Sequence, residues 1–230
     1  MRENHLYSAR HVRDRAKYEK AFSAIEAAAA KSLSKMLAPG RLFLDENEVR
    51  AWAIFLLAQR ARTPDKISWA EQQTRKLFKD ILGKPDPEFE AVKPDQKFDT
   101  LLDYMNENRR DIADNFHLDA TMKIIHKKEN LQPLLRMNWF VRRSYGKPII
   151  LSDNPLVLIG SLYHGECVMA LPISPSVVFF ATTNIELKSK IEFEDGRSAA
   201  TRINDAQAIQ AERVVIGDIE PRFLQKRMRG

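Results

Sequence analysis

Apolar residues recur at helical spacing through the first half of the chain and at strand spacing through the second. Between Asp14 and Leu37, Tyr18, Phe22, Ile25, Ala29, Leu33 and Met36 fall three or four apart. That single stripe predicts a helix, ended by Pro39-Gly40. Asp45-Glu46-Asn47-Glu48 has the form of a capping box, in which Asp45 accepts from an amide three residues on and Glu48 reaches back. The helix it opens, Glu46 to about Arg60, is apolar nearly all round (Val49, Trp52, Ile54, Phe55, Leu56, Leu57), so Trp52, Phe55 and Leu56 are expected in the core. Ser68-Trp69-Ala70-Glu71 repeats the box and predicts a helix to Leu82 with the stripe Trp69, Leu77, Phe78 and Ile81, stopped by Gly83. Lys84 to Lys97 holds Pro85, Pro87 and Pro94 and is expected as a surface loop. From Phe98, the positions Leu101, Leu102, Met105, Ile112, Phe116, Ala120 and Ile124 predict one long or two abutting helices to about Lys128, with Pro133 in the connection that follows.

The period then changes. Met137, Trp139 and Val141 alternate with Asn138, Phe140 and Arg142, a strand with one buried face, and Tyr145-Gly146-Lys147-Pro148 reverses the chain. Ile149–Leu151 and Leu156–Ile159 are short strand-like runs interrupted by Ser152-Asp153-Asn154-Pro155. Ser161 to Glu166 is a turn. Cys167–Leu171 and Val177–Ala181 are further strands, and the prolines of Pro172-Ile173-Ser174-Pro175 place strand ends or an edge between them. Thr201 to Ala211 is expected as a short helix capped by Thr201 or Asn204, and Arg213 to Ile216 as a last strand. The fold class is α+β: an N-terminal helical half, residues 1–130, packed against a C-terminal mostly antiparallel sheet with one late helix, residues 131–230, the two forming one continuous globular unit.

Composition narrows the class. Of 230 residues, 44% are hydrophobic and 30% charged, as in a globular protein. The longest apolar run, Ala51 to Ala58, is too short to span a membrane, and no apolar core follows Met1-Arg2-Glu3-Asn4-His5, so no secretion signal is expected. Cys167 is the single cysteine, which excludes an intrachain disulfide and a cysteine-rich zinc site and fits a cytoplasmic location. The net charge is +6 with a pI of about 9.4, unevenly spread. Asp80 to Asp119 carries eleven acidic residues against five basic, Ala120 to Ile150 seven basic against one acidic, and the last ten residues hold Arg222, Lys226, Arg227 and Arg229 with no acid. Such segregation suits a polyanionic partner, because clustered cations release counterions from phosphates; it equally suits internal pairing or a solvated tail.

Four short motifs carry a resemblance. Arg60-Ala61-Arg62-Thr63-Pro64 at the end of an apolar helix, Ile150 to Val157, Leu171-Pro172-Ile173-Ser174-Pro175, and Ile203-Asn204 at the final helix occur in an order that resembles the bacterial domain-of-unknown-function family numbered 4238. The resemblance runs over nearly the whole chain from about Tyr18. That family's usual His-Tyr-Val-Pro-type opening segment has no counterpart here, which leaves open a truncated member. The resemblance implies a bacterial intracellular protein and brings no established activity.

The residues that can carry chemistry begin with Ser152, Asp153 and Asn154. As structure, they form an Asx-type turn in which Asp153 or Asn154 bonds a nearby amide and Pro155 fixes entry to the next strand. As function, Asp153 is a candidate metal ligand, general base or nucleophile, with Ser152 and Asn154 donating to substrate. Arg60, Arg62, Ser174 and Asn204 are candidate binding partners, since each sits in another of the four motifs. Glu186-Leu187-Lys188 has the local spacing of a metal-dependent nuclease strand, as does Asp95-Gln96-Lys97 in an evident loop. Arg110 and His117 lie two helical turns apart, like the arginine–histidine pair of helical ribonucleases, with His117 the acid/base and Arg110 the phosphate holder; the alternative is a half-buried histidine beside Phe116. Trp139 and Phe140 beside Arg142 and Arg143 either clamp a nucleobase and phosphate or, by the alternation of Trp139 with its neighbours, belong to the core. His5, His11, His126 and His164 lack metal-ligand spacing, so metal and cofactor stay unassigned.

Three functions of different class follow. The first is a cytoplasmic module that associates with nucleic acid or another polyanion. The second is a phosphodiester-cleaving enzyme centred on Asp153 or on Arg110 and His117. The third is a non-catalytic interaction or regulatory component of a defence or toxin-related system.

Overall fold

The computed structural model describes residues 17–143, 146–162 and 164–218. Nine helices and six strands occur among them: α1 (Lys17–Leu37), α2 (Glu46–Ala61), α3 (Pro64–Leu82), α4 (Pro87–Val92), α5 (Leu101–Asn108), α6 (Arg110–His126), α7 (Lys128–Leu135), β1 (Asn138–Arg143), β2 (Leu151–Ser152), β3 (Val157–Ser161), β4 (His164–Ser174), β5 (Val177–Thr182), α8 (Ile185–Phe193), α9 (Gly196–Gln210) and β6 (Val215–Ile216). The class is α+β, helices first and an antiparallel sheet after. No helix among the described residues is long and apolar enough to cross a membrane. The chain divides into two compact units, one drawn from Met1–Ala24 and Ala61–Ile125, the other from Ile25–Arg60 and His126–Gly230.

The first unit is helical. Tyr18 of α1 is buried with Leu118 and Met122 of α6, and Lys17 Nζ donates to Asp119 Oδ1 at 3.0 Å. Burial, helped by Asp119, pushes the Tyr18 hydroxyl up to about 12. Phe98 meets Tyr104 edge to face at 5.3 Å, and Phe78 of α3 meets Phe116 of α6 at 5.1 Å. Several expectations are corrected here. Helix α3 starts at Pro64, in the first turn where a missing N–H costs nothing, so Ser68 lies inside the helix and does not cap it. The stripe of α3 is largely outward: Trp69 is 61% exposed, and Leu77 and Ile81 are exposed too. The stretch expected as a loop after Lys84 contains α4, with Pro87 again in the first turn and the Asp86 carboxylate accepting from the Glu88 N–H at 2.9 Å.

The second unit is built on a four-stranded sheet in the order β1-β5-β4-β3, every pair antiparallel. Strand β5 is buried at all six positions, because both faces are covered. Val178 and Phe180 pack with Phe140, Ile191 and Ala200 on one face. On the other, Phe179 meets Trp52 of α2 and Trp139, each ring centroid at 5.5 Å. Helix α2 is central, as its all-round apolar sequence predicts: Trp52 and Leu56 are buried, while Phe55 is half-buried. Pro133, expected in a connection, lies in the last turn of α7. Pro172 sits inside β4, beyond the last residue paired with β3 (Ala170), where one edge of the strand is free and an absent N–H is tolerated. Two departures concern the C-terminal helices. α8 was not foreseen, since only Leu187 and Ile191 turn its apolar side inward while Ile185 and Phe193 are exposed. α9 begins five residues before Thr201, capped by Asp195, whose carboxylate accepts from the Ser198 N–H at 2.9 Å; Asn204 is buried at mid-helix.

The capping box at α2 forms as predicted: Glu48 N–H donates to Asp45 at 2.9 Å and Asp45 N–H to Glu48 at 2.8 Å. Glu48 also takes Lys35 at 2.7 Å and Lys31 at 3.0 Å from α1, so one carboxylate joins two helices. The Lys35 ammonium, then the Asp45 amide, hold Glu48 down to about 2 from an ordinary 4.5. A carboxylate with a depressed folded-state pKa stabilises fully above its unfolded value, and the stabilisation fades as pH falls through the folded one. Acid unfolding followed by circular dichroism should therefore steepen between pH 4.5 and about 2, and Glu48→Gln should flatten that window. In the core, Leu56→Ala should lower stability by about 2–5 kcal/mol in urea titrations, the usual cost of a buried leucine cavity.

Candidate functional site

The segment from Pro148 to Pro155 runs between β1 and β3 without joining the main sheet, and Ile150 and Ser152 are buried. A buried main chain must find partners for its N–H and C=O groups. Helix α9 supplies most of them from side-chain amides. Asn204 accepts from the Ile150 N–H at 3.0 Å and donates to the Pro148 carbonyl at 2.9 Å, bonding a strand at positions two apart as a neighbouring strand would. One turn on, Gln207 accepts from the Ser152 N–H at 2.9 Å and the Ser152 hydroxyl at 2.8 Å and donates to the Pro155 carbonyl at 2.7 Å. Gln210 donates to the Asn154 carbonyl. Asn204 and Gln207 are 1% and 0% exposed, so these bonds are made away from water.

The remaining groups are held by backbone. Ile149 N–H donates to the Pro175 carbonyl at 2.8 Å, and Leu151 and Ser152 pair with Ile216 and Val215 in the small β2-β6 sheet. Asp153 then closes the arrangement. Its N–H donates to the Val214 carbonyl at 3.0 Å, and its carboxylate accepts from the N–H groups of Glu212, Arg213 and Val214 at 2.9, 2.8 and 3.3 Å. Three successive amides around one carboxylate form a concave anion nest, and the chain leaving α9 is fastened by it. Gly217 follows with φ 151°, and a Cβ there would stand 2.8 Å from Ile150 Cγ2, so only glycine lets β6 lie this close.

Three of the four sequence motifs thus meet: Ser152-Asp153-Asn154-Pro155, Pro175 and Asn204. The local Asx turn expected at Asp153 is instead a contact about sixty residues along the chain. Ser174 Oγ accepts from the Ser176 N–H at 3.2 Å and shapes the β4–β5 turn. Arg60 ends α2, exposed, and its charge opposes the burial that pushes the Cys167 thiol up. Arg62 is half-buried, and Thr63 precedes Pro64 as the residue capping α3. Gln207 and Gln210 were overlooked. The signal was present in Asn204, Gln207 and Gln210 recurring three apart on a predicted helix.

The basic pair on β1 is oriented by strand alternation. Arg142 donates to the carbonyls of Ile191 and Glu194 at the end of α8, with the Glu194 carboxylate at 3.7 Å. Arg143 points to the opposite face and donates to the carbonyls of Leu37 at 3.2 Å and Ala38 at 2.6 Å at the end of α1. Each guanidinium sits where unsatisfied carbonyls and the negative end of a helix dipole favour a cation. Their aromatic neighbours also part: Trp139 Nε1 donates to the Leu134 carbonyl at 3.0 Å, and Phe140 stacks on Phe180 at 5.3 Å. Glu186 and Lys188 lie on α8, capped by Asn184, and not on a strand. In the other unit, α6 carries both Arg110, exposed, and His117, buried. Among the described residues no group of three or more histidines, cysteines, aspartates or glutamates is placed to hold a metal ion. The C-terminal basic tail, His5, His11 and Tyr145 lie outside the described residues, as does the His164 side chain.

A family model described as "Protein of unknown function (DUF4238)" matches residues 1–220. No curated protein matches the chain, and no solved structure does.

The bonding pattern ranks two substitutions. Gln207→Leu leaves the Ser152 N–H and the Pro155 carbonyl without their partner, while the Ser152 hydroxyl keeps the Asn154 carbonyl, and should cost about 1–3 kcal/mol for each group left dry. Asp153→Asn keeps one acceptor beside exposed amides and should cost about 1–2 kcal/mol. Urea unfolding of the two variants checks the order, and Asp153→Asn matching the parent would remove the nest from the structural account.

Proposed function

The chain belongs to the DUF4238 family, and from this member's own surface we propose a bacterial cytoplasmic module that associates with nucleic acid or another phosphate-bearing polyanion. The observation that carries this reading is how the basic segment Ala120–Ile150 is used. Arg142 and Arg143 close helix ends, and Lys147 reaches the Thr201 hydroxyl at 3.4 Å. Lys127, Lys128 and Arg136, at the two ends of α7, are exposed and enter no ion pair among the described residues. Exposed cations with no internal partner are what phosphate contacts require, because their counterions are released on binding. The commitment of the Asp153 carboxylate to three backbone amides favours binding over cleavage, since a general base or metal ligand needs an oxygen free for substrate.

Anisotropy titrations of the full chain with labelled single- and double-stranded oligonucleotides, at several salt concentrations, test this. The affinity should fall linearly on a log–log plot, with a slope of about −0.9 per phosphate contact on duplex. Lys127→Glu combined with Lys128→Glu should weaken binding about tenfold at low salt and reduce the slope by about two contacts, with Tm unchanged. Undetectable binding at low ionic strength would overturn the proposal.

A further inference from the structure

Helix α3 carries more apolar surface than its core contacts use. Thr74 is buried and the half-buried Phe78 meets Phe116 of α6 at 5.1 Å, so the inward side of α3 runs through these positions. Trp69, Leu77 and Ile81 belong to another row, spaced in multiples of four, and all three are exposed. Helix α6 repeats the arrangement. Its inward side holds Leu118 and Ile125, both buried, whereas Ile112, Phe116 and Ile124 form a row in multiples of four and are exposed. Residues four apart share a helix face, so each row is an apolar strip about 18 Å long at about 1.5 Å per residue. The Phe78–Phe116 contact joins the two helices that bear them. Exposed apolar surface on this scale marks the site of a partner or a membrane.

The charge beside the rows decides between these. From Arg75 to Lys84 the chain has four basic residues and one acidic, Asp80. Arg75 is held by Glu71, one turn back, at 2.8 Å. Lys76, Lys79 and Lys84 are exposed and enter no ion pair among the described residues, and the same holds for Lys123, next to Ile124 on α6. A helix with tryptophan and leucine in its apolar strip, and lysine and arginine on its polar side, lies flat in a lipid headgroup layer. There the apolar row enters the acyl boundary, the indole sits at headgroup level, and the lysines meet lipid phosphates. A nucleic acid would leave both apolar rows in water.

We propose that α3, with the outer face of α6, is a site for the surface of an anionic lipid bilayer, on which the chain lies without spanning it. Trp69, Leu77 and Ile81 enter the bilayer surface, and Lys76, Lys79 and Lys84 supply the attraction to phosphate headgroups. The site uses none of the α7 cations, so it stands apart from polyanion binding through them.

Co-sedimentation of the full chain with vesicles of phosphatidylcholine, alone or mixed with phosphatidylglycerol, tests this. At low salt, binding to the anionic vesicles should be about tenfold tighter than to the neutral ones, and added salt should narrow the difference. Tryptophan emission should move to the blue on anionic vesicles. Trp69→Leu should remove most of that shift, because Trp69 is exposed whereas Trp52 is buried and Trp139 half-buried. Leu77→Glu combined with Ile81→Glu should weaken binding about tenfold with Tm nearly unchanged, since both side chains are exposed. Lys76→Glu combined with Lys79→Glu should bring the anionic vesicles down to the neutral level. No sedimentation with anionic vesicles would overturn the proposal. So would binding that survives the α3 substitutions and is lost in Lys127→Glu with Lys128→Glu, which would make the lipid phosphate one more polyanion for α7. A mass that doubles with concentration in light scattering, and returns to 26.5 kDa in Leu77→Glu with Ile81→Glu, would overturn it in favour of a second copy.

Discussion

The second unit depends on a buried length of main chain that has no strand beside it. Pro148 and Pro155 bracket the segment, and neither has an N–H to offer a ladder. Its carbonyls and the amides between them would each lose of order 1–3 kcal/mol if left dry. Asn204, Gln207 and Gln210 remove that cost by serving as a partner strand made of side chains. Once they are in place, the position of α9 on the sheet, the entry to β3 and the start of β6 are all set together.

Charge in this protein has two uses, and the structure separates them. Glu48, Asp153, Arg142 and Arg143 are each bound to backbone groups at a helix boundary or a nest, and Glu48 also to two lysines. Such charges act on folding, because a helix end or a concave set of amides presents a fixed partial charge that an opposite ion neutralises. Lys127, Lys128 and Arg136 have no such duty among the described residues. A net charge of +6 therefore says little about binding until the cations engaged internally are set aside. What remains on α7 is the basis for a polyanion partner.

The helical unit shows how far an amphipathic pattern is from a burial pattern. Trp69, Leu77 and Ile81 are spaced to share one face of α3, and that face is exposed. Spacing establishes that side chains share a face; whether anything covers it depends on neighbours elsewhere in the chain. The opposite case is β5, whose unbroken run of apolar residues has no alternation because α2 covers one side and α8 with α9 the other.

Sequence by itself determined the α+β class, the order of most elements and the central place of α2, since these rest on interactions between residues a few positions apart. The capping box of Asp45 and Glu48 is local in the same sense and formed as read. Proline was legible only in part: at Pro64 and Pro87 it opens a helix, at Pro133 it closes one, and at Pro172 it marks the free side of a strand. Those outcomes differ because the cost of a missing N–H depends on what faces it. The Ser152-Asp153-Asn154-Pro155 stretch was recognisable as important, with Asn204 as an associate, but not the bonds that unite them. Asp153 meets its amides, and Ser152 its glutamine, across more than fifty residues of chain. Contacts at that separation leave no periodicity behind, so only the tertiary structure could decide that the motif is a fastening between α9 and the sheet.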